Sequence, residues 1–207
     1  MRVVYLHGFA SGPRSSKAQF FRSKLSERGV DVEIPRLDGG DFEHLTISSQ
    51  LRIVKDAVAG RPCVLFGSSL GGYLAALYAA EHPEVQKLIL LAPAFQFPSR
   101  WRQRYTVEKL ARWKASGAVP VFHYGEGREM RLGYGLMDDS VAYPEEPDAR
   151  QPALIFHGTK DDVVPAEVSL RFAAGHGNAR VELMESGHEL TDVLEAMWER
   201  TREFLEL

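Results

Sequence analysis

Ser69 stands at the centre of Gly67-Ser68-Ser69-Leu70-Gly71, a G-x-S-x-G pentapeptide followed by a further glycine, Gly72. A serine hydroxyl is a weak nucleophile until a base takes its proton. The small neighbours let the chain turn sharply and hold the central residue in a strained backbone conformation. The run before it, Pro62-Cys63-Val64-Leu65-Phe66, is apolar, and the Ala-rich segment from Leu70 to His82 ends before Pro83. Strand, tight turn and helix in that order are the setting of a nucleophile elbow. Ser69 is then expected at a helix N-terminus, whose dipole favours negative charge nearby. The plainer reading is a Gly-rich strand–helix turn with no chemistry, or its phosphate-cradling variant. No lysine follows at P-loop spacing.

An elbow serine needs an acid and a base, which follow it in the order Ser, acid, His, each after a later strand. The acid candidates lie in His157-Gly158-Thr159-Lys160-Asp161-Asp162-Val163-Val164-Pro165, directly after the apolar run Ala153 to Phe156. Asp161 and Asp162 are both available, and either could instead cap the helix that follows. The base candidate is His188, in Glu185-Ser186-Gly187-His188. Of the seven histidines it alone sits between the last strand run and the last helix. His7, at the end of the first run, reads as a structural residue holding its loop. Acyl chemistry also needs donors for a developing oxyanion, worth about 3 kcal/mol each. The expected donors are the backbone N–H groups of Leu70 and of Phe9, in the loop His7-Gly8-Phe9-Ala10.

The elements that must position these residues alternate along the chain. Short apolar runs at Val3–Leu6, Cys63–Phe66, Leu88–Leu91 and Ala153–Phe156 suit strands covered on both faces. Val30–Ile34 alternates apolar and polar, as an edge strand does, and the polar run Val181–Met184 suits the other edge. Between them lie helical periods. Ser16-Lys17-Ala18-Gln19 reads as a capping box before Phe20, Phe21 and Leu25, with Gly29 as the C-terminal cap. Ile47 to Val58, Leu70 to His82, Val168 to Ala174 and Leu190 to Leu205 complete the set. The order predicts an α/β fold: a three-layer α/β/α sandwich on a mostly parallel sheet of about six strands. The stretch 95–151 is too long for a plain connection and is expected to be a cap-like insertion within one domain spanning 1–207. It holds a helix candidate, Tyr105 to Ala115, and a hairpin from Val119–Tyr124 to Met130–Tyr134 about a Gly125-Glu126-Gly127 turn. Tyr143-Pro144-Glu145-Glu146-Pro147 reads as a linker.

Two segments carry a family resemblance. Tyr5-Leu6-His7-Gly8-Phe9-Ala10-Ser11-Gly12-Pro13-Arg14-Ser15-Ser16-Lys17-Ala18 is similar to the LHGF-x-S-x-P-x-S-x-K opening of small bacterial YqiA/YcfP-type esterases, and Gly67 to Tyr73 resembles their elbow. His157 to Pro165 resembles the wider α/β-hydrolase pattern HG-x-x-D-x-x-VP, whose aspartate falls on Asp161 rather than Asp162. Gly187-His188 matches the usual GH of the catalytic histidine. The resemblance implies an α/β-hydrolase fold and an esterase or thioesterase with a Ser69–Asp161–His188 triad and no cofactor. It also implies that the sheet lacks the first two strands of larger relatives.

Composition bounds the alternatives. With 207 residues, 44% hydrophobic and 26% charged, the chain is an ordinary globular one. A net charge of −3 gives nucleic acid no general attraction. No apolar run approaches the roughly 20 residues of a membrane span, and no signal peptide is evident, so a soluble cytoplasmic protein is expected. The single cysteine, Cys63, reads as a buried, inert strand thiol. No metal site is assigned. The basic, aromatic segment Arg100 to Lys114 is either a solvated helix face or a dock for an anionic group such as a CoA phosphate or for a membrane surface. The expected partner is a small acyl ester or thioester. The same residues would also serve acyl transfer, perhydrolysis or C–C hydrolysis, and a non-catalytic interaction module remains the contrasting class.

Overall fold

The computed structural model describes residues 1–207. Six strands form one sheet: β1 (Arg2–Leu6), β2 (Asp31–Glu33), β3 (Cys63–Ser68), β4 (Val85–Leu91), β7 (Ala153–Gly158) and β8 (Ala179–Met184). Their order is β2-β1-β3-β4-β7-β8, and every pairing is parallel. The central strands are apolar at successive positions because both faces are covered. Val3 and Tyr5 of β1 point into one core, while Val4 and Leu6 point into the other. Helices α1 (Ser16–Ser26) and α8 (Leu194–Leu205) close the first face through Phe21, Leu25, Met197 and Trp198. Helices α2 (Ile47–Val58), α3 (Leu70–Glu81) and α7 (Glu167–Gly175) close the second through Val54, Leu74 and Phe172. The short strand β2 and the more polar β8 are the edges, as their patterns predict. No helix is long and apolar enough to cross a membrane.

Some local expectations change. Helix α1 is capped by Ser15, not Ser16, and no side chain bonds to its first turn. With Ser15 as the cap, Gln19 falls one position too far along to reach back to it. Its amide donates to the Pro13 carbonyl instead, at 2.7 Å. The reciprocal capping box belongs to α2, between Thr46 and Ser49. Gly29 does end α1 as expected: it takes φ +71°, and the next N–H, Val30, reaches back to Leu25 O at 3.1 Å.

Between β4 and β7 lie α4 (Phe97–Gln103), α5 (Val107–Ser116), the antiparallel pair β5 (Ala118–His123) and β6 (Arg128–Gly133), and α6 (Gly135–Ser140). Helix α5 begins later than its period suggests because the Thr106 hydroxyl caps it, accepting from Lys109 N at 3.3 Å. Trp113 is buried beneath this segment, and its indole N–H donates to Leu132 O at 3.0 Å. The stretch read as a linker is anchored: Tyr73 OH donates to Pro144 O at 2.8 Å, and Gln96 N donates to Glu145 O at 2.8 Å.

The tightest packing is at the elbow. A Cβ at Gly71 would lie 2.6 Å from the His7 carbonyl oxygen and closer still to that of Leu6. A Cβ at Gly67 would stand 2.6 Å from Gly72 Cα. Both positions must be glycine for α3 to start against the ends of β1 and β3. Gly71→Ala is expected to lower stability by at least about 2 kcal/mol, because backbone cannot move aside as a side chain can. Gly175→Ala, with nothing within 4 Å of the added carbon, is expected to stay within about 0.5 kcal/mol. Urea unfolding of the two variants checks the contrast.

Candidate active site

Ser69 leaves the sheet at the C-terminal end of β3 with φ 53° and ψ −117°, a backbone conformation a side chain seldom tolerates. Its backbone is clamped from both sides. The N–H donates to Leu91 O at 2.8 Å, and the carbonyl accepts from Gly72 N at 2.9 Å and from Ala94 N at 2.9 Å. The end of β4 thus holds the elbow in place, and Ser69 is the N-cap of α3.

His188 lies in the loop after β8. Its Nε2 is 3.0 Å from Ser69 Oγ, and its Nδ1 is 2.7 Å from Asp161 Oδ2. The carboxylate can only accept, so Nδ1 carries the proton and Nε2 presents its lone pair to the serine hydroxyl. Serine, histidine and aspartate therefore form one continuous hydrogen-bonded chain. Asp161, not Asp162, is the aspartate bonded to His188. Its side chain is fully buried, whereas Asp162 faces solvent.

Asp161 is satisfied on every side. Oδ1 accepts from Val163 N at 2.9 Å and Val164 N at 2.8 Å. Oδ2 accepts from His188, and His157 Nε2 lies 3.2 Å from it. Burial alone raises this carboxyl, but the bonds from His157, His188 and Val164 outweigh it and hold it below the usual carboxylate range. His157 is buried as well. Its Nδ1 meets Ser169 Oγ at 2.7 Å, and its Nε2 also reaches Val164 O at 2.8 Å. His157 carries no motif of its own beyond its place at the end of the β7 run. Its spacing of four residues before Asp161 was the available signal.

The acid and histidine loops are joined to each other. Thr159 N donates to Met184 O at 2.8 Å, and Lys160 N donates to Ser186 O at 2.9 Å, carrying the β7–β8 pairing beyond the strands. A Cβ on Gly158 would lie 2.5 Å from Gly187 O, so this glycine lets the histidine loop close down. The Ser186 hydroxyl donates to the Asp192 carboxylate and ties the loop to the start of the last helical segment.

The two expected oxyanion donors sit beside Ser69. Leu70 opens α3, so its N–H has no acceptor within the helix. The Phe9 N–H donates to no protein acceptor. The Gly8 backbone brings that loop against the elbow: a Cβ there would be 3.5 Å from Ser69 Cβ. His7 has the structural place expected of it. Its Nδ1 is 3.0 Å from Gly8 O, and its Nε2 accepts from Leu37 N at 3.2 Å. Burial pushes the Cys63 thiol up to about 11, remote from thiolate chemistry at neutral pH.

Ser69 and His188 open into a cavity of about 1170 Å³. Phe9, Phe97 and Trp101 form an aromatic wall, with Trp101 edge-on to Phe9 at 4.8 Å and 5.2 Å from Phe97. Tyr124, at the tip of the β5–β6 hairpin, also lines the cavity and donates its N–H to Ala10 O at 2.7 Å. No group of three or more His, Cys, Asp or Glu is placed to hold a metal ion.

The all-parallel sheet, with a strained serine at the end of β3, an aspartate after β7 and a histidine after β8, has the α/β-hydrolase fold. Mouse alpha/beta hydrolase domain-containing protein 10 superposes with a TM-score of 0.83 at 21% identity, over 99% of this chain and 89% of that one. By sequence, the AB hydrolase superfamily protein YisY of Bacillus subtilis is 25% identical, over 90% of this chain and 84% of its own. The mitochondrial palmitoyl-protein thioesterase ABHD10 of Bos taurus is 25% identical over 83% of this chain, which spans 60% of that relative. The chain belongs to the Uncharacterised protein family UPF0227, which it matches over residues 2–205.

The hydrogen bonds around Asp161 set a sign for the pH dependence of stability. A carboxyl held below its unfolded value stabilises the fold above that value, and the benefit is lost as pH falls through the lower folded one. Asp161→Asn is expected to cost roughly 1–3 kcal/mol at neutral pH. The gap from the native protein should narrow only below about pH 4. Urea unfolding of both proteins, stepped from neutral pH into acid, measures it.

Proposed function

We propose that this protein is a serine hydrolase that cleaves carboxylic ester or thioester bonds through a Ser69–His188–Asp161 triad. The observation that carries the reading is the unbroken chain from Ser69 Oγ through His188 to the buried Asp161 carboxylate, 3.0 Å and 2.7 Å long in its two links. The named thioesterase among the relatives lends weight to thioesters beside esters.

The mechanism follows from the geometry. Ser69 Oγ attacks the acyl carbon while His188 Nε2 takes its proton. Asp161 keeps the imidazole in the required tautomer and stabilises the imidazolium. The carbonyl oxygen becomes an oxyanion facing the Phe9 and Leu70 N–H groups and the positive end of α3. His188 then protonates the departing alcohol or thiol, leaving an acyl group on Ser69. Water enters, gives its proton to His188 and its hydroxyl to the acyl carbon, and the acid departs as the proton returns to Ser69. The residues 95–151 act as a cap-like wall over this site within one hydrolase domain, and the aromatic surface of Phe9, Phe97 and Trp101 suits an apolar part of the substrate.

A panel of 4-nitrophenyl esters and acyl thioesters graded by chain length tests the reading. Ser69→Ala should lower turnover by at least about 10³-fold with an unchanged far-ultraviolet spectrum and unfolding midpoint. Hydrolysis persisting in that variant would remove Ser69 from the role.

A further inference from the structure

The cavity over Ser69 is more cationic than the chain that forms it. The chain has a net charge of −3. The cavity lining nevertheless places Arg14, Lys17, Arg36, Arg100 and Arg104 against Asp38, Glu126 and Glu189. Those carboxylates are already engaged. Arg36 pairs with Asp38 at 2.6 Å and Glu126 at 3.2 Å, and Lys17 lies 3.8 Å from Glu189. Arg14, Arg100 and Arg104 have no carboxylate within ion-pair distance. Arg100 donates only to a neutral acceptor, Val163 O, at 2.9 Å.

Helical spacing aims two of these guanidinium groups the same way. Phe97, Arg100, Trp101 and Arg104 line the cavity, at i, i+3, i+4 and i+7 along α4 and its C-cap. Arg102 and Gln103 lie on the other faces, outside the cavity lining; Arg104 is as exposed as they are but lines the cavity. The basic segment therefore divides: Arg102, Lys109, Arg112 and Lys114 form a solvated surface, while Arg100 and Arg104 belong to the cavity. Like charges one turn apart repel. Burial and then the Arg104 guanidinium push Arg100 away from its charged form, with only the charge of Asp161, beyond ion-pair distance, acting the other way. An anion held between the two forks relieves both effects, and the planar fork matches a carboxylate or phosphate. Trp101 sits between the two arginines on the same face and contacts Phe9, next to the elbow.

We propose that Arg100 and Arg104, with Arg14 of the β1–α1 loop, form an anion-recognising subsite, so that the preferred ester or thioester carries a carboxylate or phosphate group. This rests on Ser69 being the nucleophile. Two matched substrate pairs test it and tell apart the two sides of the scissile bond. One pair is 4-nitrophenyl hydrogen glutarate against its methyl-capped neutral form, which places the charge on the acyl side. The other is butanoyl-CoA against the butanoyl thioester of N-acetylcysteamine, which places it on the leaving group.

In one pair the anionic member should show kcat/KM at least about tenfold higher. Arg104→Gln should reduce that ratio at least about fivefold, Arg104→Lys should restore part of it, and Arg102→Gln, on the outer face, should leave it unchanged. Arg104 is the residue to vary because Arg100 also supports the Val163 loop. Ratios near one in both pairs, or a ratio that Arg104→Gln does not move, would overturn the subsite. Absence of turnover on all four substrates would count against the serine reading instead. Calorimetric binding of monomethyl glutarate and of CoA to Ser69→Ala then decides the subsite separately: weakening of at least about fivefold on adding Arg104→Gln supports it, and no binding or no weakening rejects it.

Discussion

The close approach of α3 to the end of β1 is the constraint on which the rest of the site depends. Only a residue without a side chain at position 71 lets the helix begin over the Leu6 and His7 carbonyls. That contact sets where the elbow turns, and the turn forces Ser69 to a positive φ with its hydroxyl above the sheet. It also brings the two expected oxyanion donors together, since Phe9 follows the strand being approached and Leu70 begins the approaching helix. A displacement of α3 by the width of a methyl group would disturb hydroxyl, donors and helix dipole at once.

The second constraint is a buried charge. A carboxylate taken out of water is costly unless its oxygens are paired. Asp161 meets that requirement with two backbone N–H groups on one oxygen and the His188 imidazole on the other, with the His157 ring alongside at 3.2 Å. His157 and its partner Ser169 form the far side of the same network. The arrangement makes the acid rigid, and the rigid acid orients His188. The Asp161 and His188 loops share hydrogen bonds that continue the β7–β8 ladder, so His188 is positioned by the sheet rather than by a free loop.

The central strands were legible in the sequence because burial on both faces leaves a simple mark, an unbroken apolar run. The elbow was legible because its glycines are required by contact. Positions decided by partners distant in sequence were harder to read. Asp161 and Asp162 are adjacent, and spacing alone cannot say which one turns inward; the Val163 and Val164 amides and His157 decide it. Helix α4 leaves little mark in the sequence because it is only seven residues long and starts from Gln96 in a left-handed conformation, with no capping side chain. The capping box assigned to Ser16 failed by one residue, a shift set by the Gly12–Ser15 turn, in which Ser15 N donates to Gly12 O at 3.0 Å. The basic segment looked uniform until the helix separated its inward arginines from its outward ones.

The most direct test of the central claim is covalent. The folded protein is treated with an alkyl fluorophosphonate, and the product is followed by intact mass and peptide mapping. A single adduct on Ser69, lost when His188 is replaced by alanine or when the protein is unfolded in urea, is the expected result. No adduct on the folded protein, or an adduct on a different residue, would contradict a serine nucleophile activated by His188 and Asp161.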